Sequence, residues 1–171
     1  MRLGARAVAL AVVMSALVYA MTSISIPMPK PLGVWHIGDI ASFLAAILCG
    51  PYVGAFACGV GAALFDLWNP LWGSSFVIWA PATILIRGFM GFLLGRLRGV
   101  IPHHSGASEV LAMILAAVEK NFGYFLYDYY LFGPVAYMDL MTFFPLSVID
   151  IIATVPILHA LRRILKVKYL L

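Results

Sequence analysis

The feature that most limits how this chain can fold is the spacing of its apolar residues. They fall into six runs, at approximately residues 5–24, 37–50, 52–68, 76–97, 109–132 and 145–165, divided by short polar or proline-containing breaks. A helix that crosses a bilayer core needs about 20 predominantly apolar residues. Six such helices use up a chain of 171 residues and leave no length for a separate soluble domain. Charge agrees: 11% of the residues are charged and 64% hydrophobic, whereas a soluble domain carries about a quarter charged residues. The predicted fold class is an all-α integral membrane protein, one membrane domain over residues 1–171 with six transmembrane helices.

The breaks give the topology. Ser25 to Gly33 reads SIPMPKPLG, and three prolines make it an extended loop. Gly50-Pro51 separates the second run from the third, Asn69 to Ser75 forms the next loop, and Gly133-Pro134 ends the fifth run. The sixth run is predicted to begin near Pro145, after a partly ordered loop over 135–144. Arg2, Arg6, Arg96, Arg98, Arg162, Arg163, Lys166 and Lys168 all fall on one side of a six-span arrangement, against Lys30 on the other. Lysine and arginine mark the cytoplasmic side, so both termini are predicted to be cytoplasmic. A cleaved leader ending near Val18-Tyr19-Ala20 is the competing reading of the first run; it would discard the first two arginines and leave a proline-rich outer tail. The cations sit at helix ends, as topology requires, and give no phosphate-binding face for nucleic acid.

Six spans send Asp39, Asp66, Asp128 and Asp150 toward the outer leaflet together with Trp35, Trp68, Trp72 and Trp79. A charge near the bilayer centre costs on the order of 3 kcal/mol, so such groups face protein or a watered pocket. Asn121, Tyr124 and Asp128 share one face of the fifth helix by their i, i+3, i+7 spacing. His36 belongs to the Trp35-His36-Ile37-Gly38-Asp39 cluster at the mouth of the second run. Arg87 is suited to pairing with a carboxylate. Interfacial anchoring accounts for many of the tryptophans and tyrosines, and Asp66 close to a helix end also suits a cap.

Catalytic signatures are absent: the sequence has no HExxH, no GxSxG and no Walker GxxxxGK[ST]. Cys49 and Cys58 both lie in apolar runs and form neither a disulfide framework nor a CxxC knuckle. No cofactor and no bound metal are expected.

The ordered series H-I-G-D (36–39), G-P (50–51), F-D-L-W (65–68), W-A-P-A-T (79–83), R-G (87–88), G-Y-F-L-Y (123–127) and Pro145 to Asp150 resembles the substrate-binding S component of energy-coupling factor (ECF) vitamin transporters, above all the riboflavin-type group. The resemblance runs over nearly the whole chain. It implies a six-helix bundle in a prokaryotic cell membrane whose outward pocket takes a vitamin and is capped by the first loop. It also implies partners: a transmembrane coupling subunit and two cytosolic ATPases, docked through an Ala-x-x-x-Ala pair on the first helix. Ala7 and Ala11 fit that pair; Ala5/Ala9 and Ala16/Ala20 share its spacing. Ser147 and Asp150 stand where relatives often have Asn and Gln, and Glu119-Lys120-Asn121 precedes the Gly-Tyr-Phe, so the resemblance leaves the vitamin open. A Met-x-His start, which marks metal-transporting members, is absent. The candidate site is therefore Trp35, His36, Asp39, Asp66, Trp68, Trp79, Asn121, Tyr124, Asp128, Ser147 and Asp150. Aromatics among carboxylates suit a planar heterocycle held by stacking and hydrogen bonds. A stand-alone secondary transporter, which would usually carry an internal repeat, and a structural membrane protein are the alternatives.

Overall fold

The computed structural model describes residues 4–28, 34–100, 105–166 and 168–170. Arg2, Lys30, residues 29–33 of the first loop and the His103-His104 turn lie outside the described residues. The chain order is α1 (Ala5–Ser23), β1 (Ser25–Pro27), β2 (Val34–His36), α2 (Gly38–Cys49), α3 (Pro51–Leu67), α4 (Ala80–Leu97), α5 (Ser105–Phe132), a 3-10 turn (Gly133–Ala136) and α6 (Tyr137–Leu165).

Among the described residues three stretches are long and apolar enough to cross a membrane: Ala5–Ser23, Ala80–Leu97 and Gly106–Leu165, the last containing both α5 and α6. Helices α2 and α3 are shorter. All twelve residues of α2 are buried, and it packs against α1, α3, α4 and α6. In α1 the hydroxyls of Ser15, Thr22 and Ser23 each donate to the carbonyl four residues back, at 2.8, 2.7 and 2.9 Å, which satisfies them within an apolar helix.

Glycine sets how closely the central helices approach. A Cβ on Gly91 would stand 2.4 Å from the Gly54 carbonyl oxygen, and one on Gly95 2.5 Å from the Pro51 nitrogen. So α3 and α4 meet backbone to backbone, the close approach that small residues permit between helices. Gly50 adopts φ +85° with ψ −176°, a conformation open essentially to glycine alone; with Pro51 at the first helical position it turns α2 into α3 at once.

Two starts differ from expectation. Helix α4 begins at Ala80, since the Asn69 side chain accepts from the Leu71 and Trp72 amides at 3.2 and 2.7 Å and holds the preceding chain in turns. Helix α6 begins at Tyr137, with Pro145 inside it. A proline removes one hydrogen bond and kinks a helix, which neighbouring elements in a membrane bundle tolerate.

At one end of the bundle the ends of α2, α4, α5 and α6 converge. Arg98 donates to the Ile47 carbonyl at 2.6 Å, Arg162 grips Glu109 through two bonds of 2.9 and 2.7 Å, and the Leu170 amide donates to the Leu48 carbonyl at 2.7 Å. The opposite end holds the cavity.

Candidate functional site

The hairpin of β1 and β2, with Ile26 opposite Trp35 and Ser25 opposite His36, delivers Val34, Trp35 and His36 to the cavity wall. The turn into α2 follows directly. A Cβ on Gly38 would collide with the Thr22 side chain at 2.1 Å, so only glycine lets the end of α1 lie against the start of α2. The Gly38 amide donates to His36 Nδ1 at 3.2 Å. Burial first, and the Arg87 charge second, push the His36 ring down from 6.5 to about 3; it is a neutral acceptor at physiological pH.

One stripe of α4 then organises the carboxylates. Trp79, Thr83 and Arg87 recur every fourth residue and so lie along a single helical face. Trp79 Nε1 donates to Asp128 Oδ1 of α5 at 2.6 Å, Thr83 Oγ1 donates to Asp66 Oδ2 of α3 at 2.5 Å, and Arg87 pairs with Asp39 Oδ1 of α2 at 2.5 Å. Thr83 is also 2.9 Å from the Tyr124 hydroxyl. Three carboxylates from three helices are thereby fixed by one strip of a fourth. Lys120 of α5 takes the second oxygen of Asp39, and Arg87 reaches Ser42 at 3.1 Å. Asn121 donates to Ser147 Oγ of α6 at 3.0 Å.

These groups form the polar floor of a half-enclosed cavity bounded by α2 to α6 and the hairpin. Above the floor runs an aromatic wall. His36 meets Phe65 edge-on at 6.1 Å, Phe65 stacks on Phe76 at 5.7 Å, and Phe76, Trp79 and Phe132 continue the series at 6.0 and 5.9 Å. Arg87 Nε and Asp150 Oδ1 are buried and make no hydrogen bond among the described residues. Trp35 Nε1, close enough to Asp150 to interact with it, makes no bond of normal geometry either. Most buried polar groups find partners, so a donor and an acceptor without them in one cavity point to a ligand that offers both.

Of the sequence-derived candidates, Trp35, His36, Asp39, Asp66, Trp79, Asn121, Tyr124, Asp128, Ser147 and Asp150 all line this cavity. Trp68 does not: it follows the last residue of α3 and is 59% exposed. The cavity also contains Phe65, Phe76, Thr83, Phe132, Asp139 and Phe143, which the sequence reading did not select. Thr83 stands within the W-A-P-A-T motif, so four-residue spacing from Trp79 was the available signal. Arg87 and Lys120 stand out in the sequence, but their common partner Asp39 emerges only in the fold. On α1, Ala7 is buried against the core and Ala11 is partly buried beside it. Ala5, Ala9, Ala16 and Ala20 are the exposed alanines.

A family model described as the ECF-type riboflavin transporter, S component, matches residues 3–163. A protein of Pyrococcus woesei described as an uncharacterized protein in the gap 3' region is 33% identical over 111 residues, which covers 65% of this chain and 70% of that relative.

Proposed function

The chain belongs to the ECF-type riboflavin transporter S-component family, and from that premise we propose that it captures riboflavin, or another planar heterocyclic vitamin or precursor, in the cavity between the hairpin and α2 to α6. As a transporter component of this family it is not an enzyme. In the proposed arrangement six helices lie in a prokaryotic cell membrane with both termini cytoplasmic, the cavity opens outward, and a transmembrane coupling subunit with two cytosolic ATPases supplies the energy. Ala7/Ala11 serves as the small-residue face toward that subunit, with Ala5/Ala9 and Ala16/Ala20, exposed on α1, sharing its spacing.

The observation that carries the reading is the union, in one cavity, of an aromatic wall and a polar floor with an unpartnered acceptor at Asp150 Oδ1 and an unpartnered donor at Arg87 Nε. A flavin ring presents a flat apolar face for the first and a mixed donor and acceptor edge for the second. The test is to purify the protein in detergent, identify any co-purifying small molecule by mass spectrometry, and titrate riboflavin by quenching of its fluorescence. Asp150→Ala removes a charged hydrogen-bonding group, which is worth about 1.5–3 kcal/mol, so binding is expected to weaken about tenfold or more. Recovery of no ligand, together with no thermal shift on adding flavins, pyrimidines or other vitamins, would sink the proposal.

A further inference from the structure

The cations at the end of the bundle away from the cavity fall into two groups. Arg98, Lys168 and Arg162 are engaged within the protein, standing 4.1, 5.2 and 5.5 Å from the centre of the Tyr169 ring. Arg163 and Lys166, at the end of α6, are exposed and make no ion pair or hydrogen bond among the described residues. Glu109 does not neutralise them, because it is buried and gives both oxygens to Arg162.

These two cations close an exposed stripe. Ile149, Ile152, Pro156, Ala160 and Arg163 recur every third or fourth residue and so share one face of α6, and all five are exposed. Toward its cationic end the stripe opens into a shallow groove lined by Pro156, His159, Ala160, Arg163 and Ile164. Ala160 is the smallest of these side chains. The His159 ring, whose Nδ1 lies 3.3 Å from the Val155 carbonyl oxygen, forms part of the wall. From Ile152 to Arg163 the helix rises about 16 Å, close to half of the roughly 30 Å hydrocarbon core. The stripe is thus apolar for the depth of one leaflet and cationic where that leaflet's phosphates lie.

From this we infer that the groove on α6 is a binding site for an anionic phospholipid, with its chains along Ile152 and Pro156 and its phosphate at Arg163 and Lys166. Arginine offers phosphate a planar fork of donors, and basic pockets beside membrane helices hold anionic head groups. Charge complementarity names the occupant: unpaired cations at the head-group level require a negative partner, and the apolar stripe below them requires chains. The inference rests on the membrane placement proposed above. It is independent of the ligand in the cavity, with which this groove shares no lining residue.

The experiment is native mass spectrometry of the full chain in detergent with equal amounts of phosphatidylglycerol and phosphatidylcholine that carry the same acyl chains. Each Lys or Arg near an anionic lipid strengthens attachment about fivefold, so the wild type is expected to retain phosphatidylglycerol over phosphatidylcholine by about fivefold or more. The Arg163→Gln, Lys166→Gln double variant should lose that preference. Ala160→Trp, which fills the groove and keeps every charge, should lose it too. The Arg6→Gln, Arg96→Gln double variant removes two exposed cations from α1 and α4 and should keep it. Equal retention of the two lipids by the wild type overturns the site and leaves the face to a protein partner. Equal loss in the Arg6, Arg96 variant reduces the effect to overall charge and overturns it as well. Displacement of the lipid by glycerol 3-phosphate alone would make free phosphate the occupant and overturn the lipid assignment. Riboflavin titrated into the same samples keeps the two readings apart: binding unchanged by the groove variants is expected, and no riboflavin binding in any sample overturns the flavin reading alone.

Discussion

Asp39 is 2% exposed and receives two cations, Arg87 on one oxygen and Lys120 on the other. A buried ion pair adds little net stability once desolvation is counted, but removing one partner leaves an uncompensated charge and costs about 3–5 kcal/mol. Asp39→Asn strands two cations at once, whereas Lys120→Met leaves Asp39 still paired with Arg87. The first variant is therefore expected to lower the melting temperature in detergent more than the second, measured by loss of the monodisperse peak after heating. The reverse order would mean that Asp39 is not the hub of the floor. The sequence showed the hub only in part. It displayed Asp39, Lys120 and Arg87 as unusual residues in apolar runs, and it implied that Arg87 needed a carboxylate. Which carboxylate depends on how α2, α4 and α5 pack, and no local periodicity encodes a contact across 48 residues. Trp68 misleads for the opposite reason: it lies two residues from Asp66, but its position beyond the helix end turns it away from the cavity.

At the scale of the element, the glycines of α4 are not equivalent. Gly91 faces the Gly54 carbonyl with no space for a methyl group, whereas a Cβ on Gly88 would sit 3.6 Å from the Ala55 carbonyl, an ordinary contact. Gly91→Ala is expected to push α3 from α4 and to destabilise the protein by about 1–3 kcal/mol, as overpacking does. Gly88→Ala should be neutral or slightly stabilising, because alanine is the better helix former. Thermal unfolding of the two variants side by side checks this, and a Gly91→Ala as stable as the wild type would show that α3 and α4 can separate freely. In sequence, Gly91, Gly95 and Gly99 form an even series of four, yet a Cβ on Gly99 meets nothing within 4 Å. The spacing revealed that α4 has a close-packing face; the end of that face was fixed by where α3 begins. In the same way Pro145 reads as a helix start in sequence and lies inside α6 in the structure, because the apolar residues from Tyr137 onward continue the helix on its other side.

The whole molecule poses a question of length. Helix α2 has 12 residues, about 18 Å of rise, which is short of the roughly 30 Å hydrocarbon core, and among the described residues three stretches qualify as spans by length and apolarity. The length rule assumes a helix that meets lipid. Every residue of α2 is buried and the helix is enclosed by α1, α3, α4 and α6, so its surroundings are protein, where non-spanning backbone is tolerated at membrane depth. Its polar start at Asp39 opens into the cavity and its end is capped by Arg98 and Leu170, so α2 can connect two sides without reaching either headgroup layer. Helix order then decides topology: α2 and α3 must count as two crossings for the cation-rich ends to share one side. Cysteines placed one at a time at Gly4 and Gly73, in a background with Cys49 and Cys58 replaced by alanine, separate the possibilities. In intact cells a membrane-impermeant maleimide is expected to label Gly73→Cys, near the cavity mouth, and to leave Gly4→Cys unlabelled until the cells are opened. Labelling of both from outside, or of neither, would mean that the buried pair α2 and α3 does not cross as two helices, and the outward direction assigned to the cavity would fall with it.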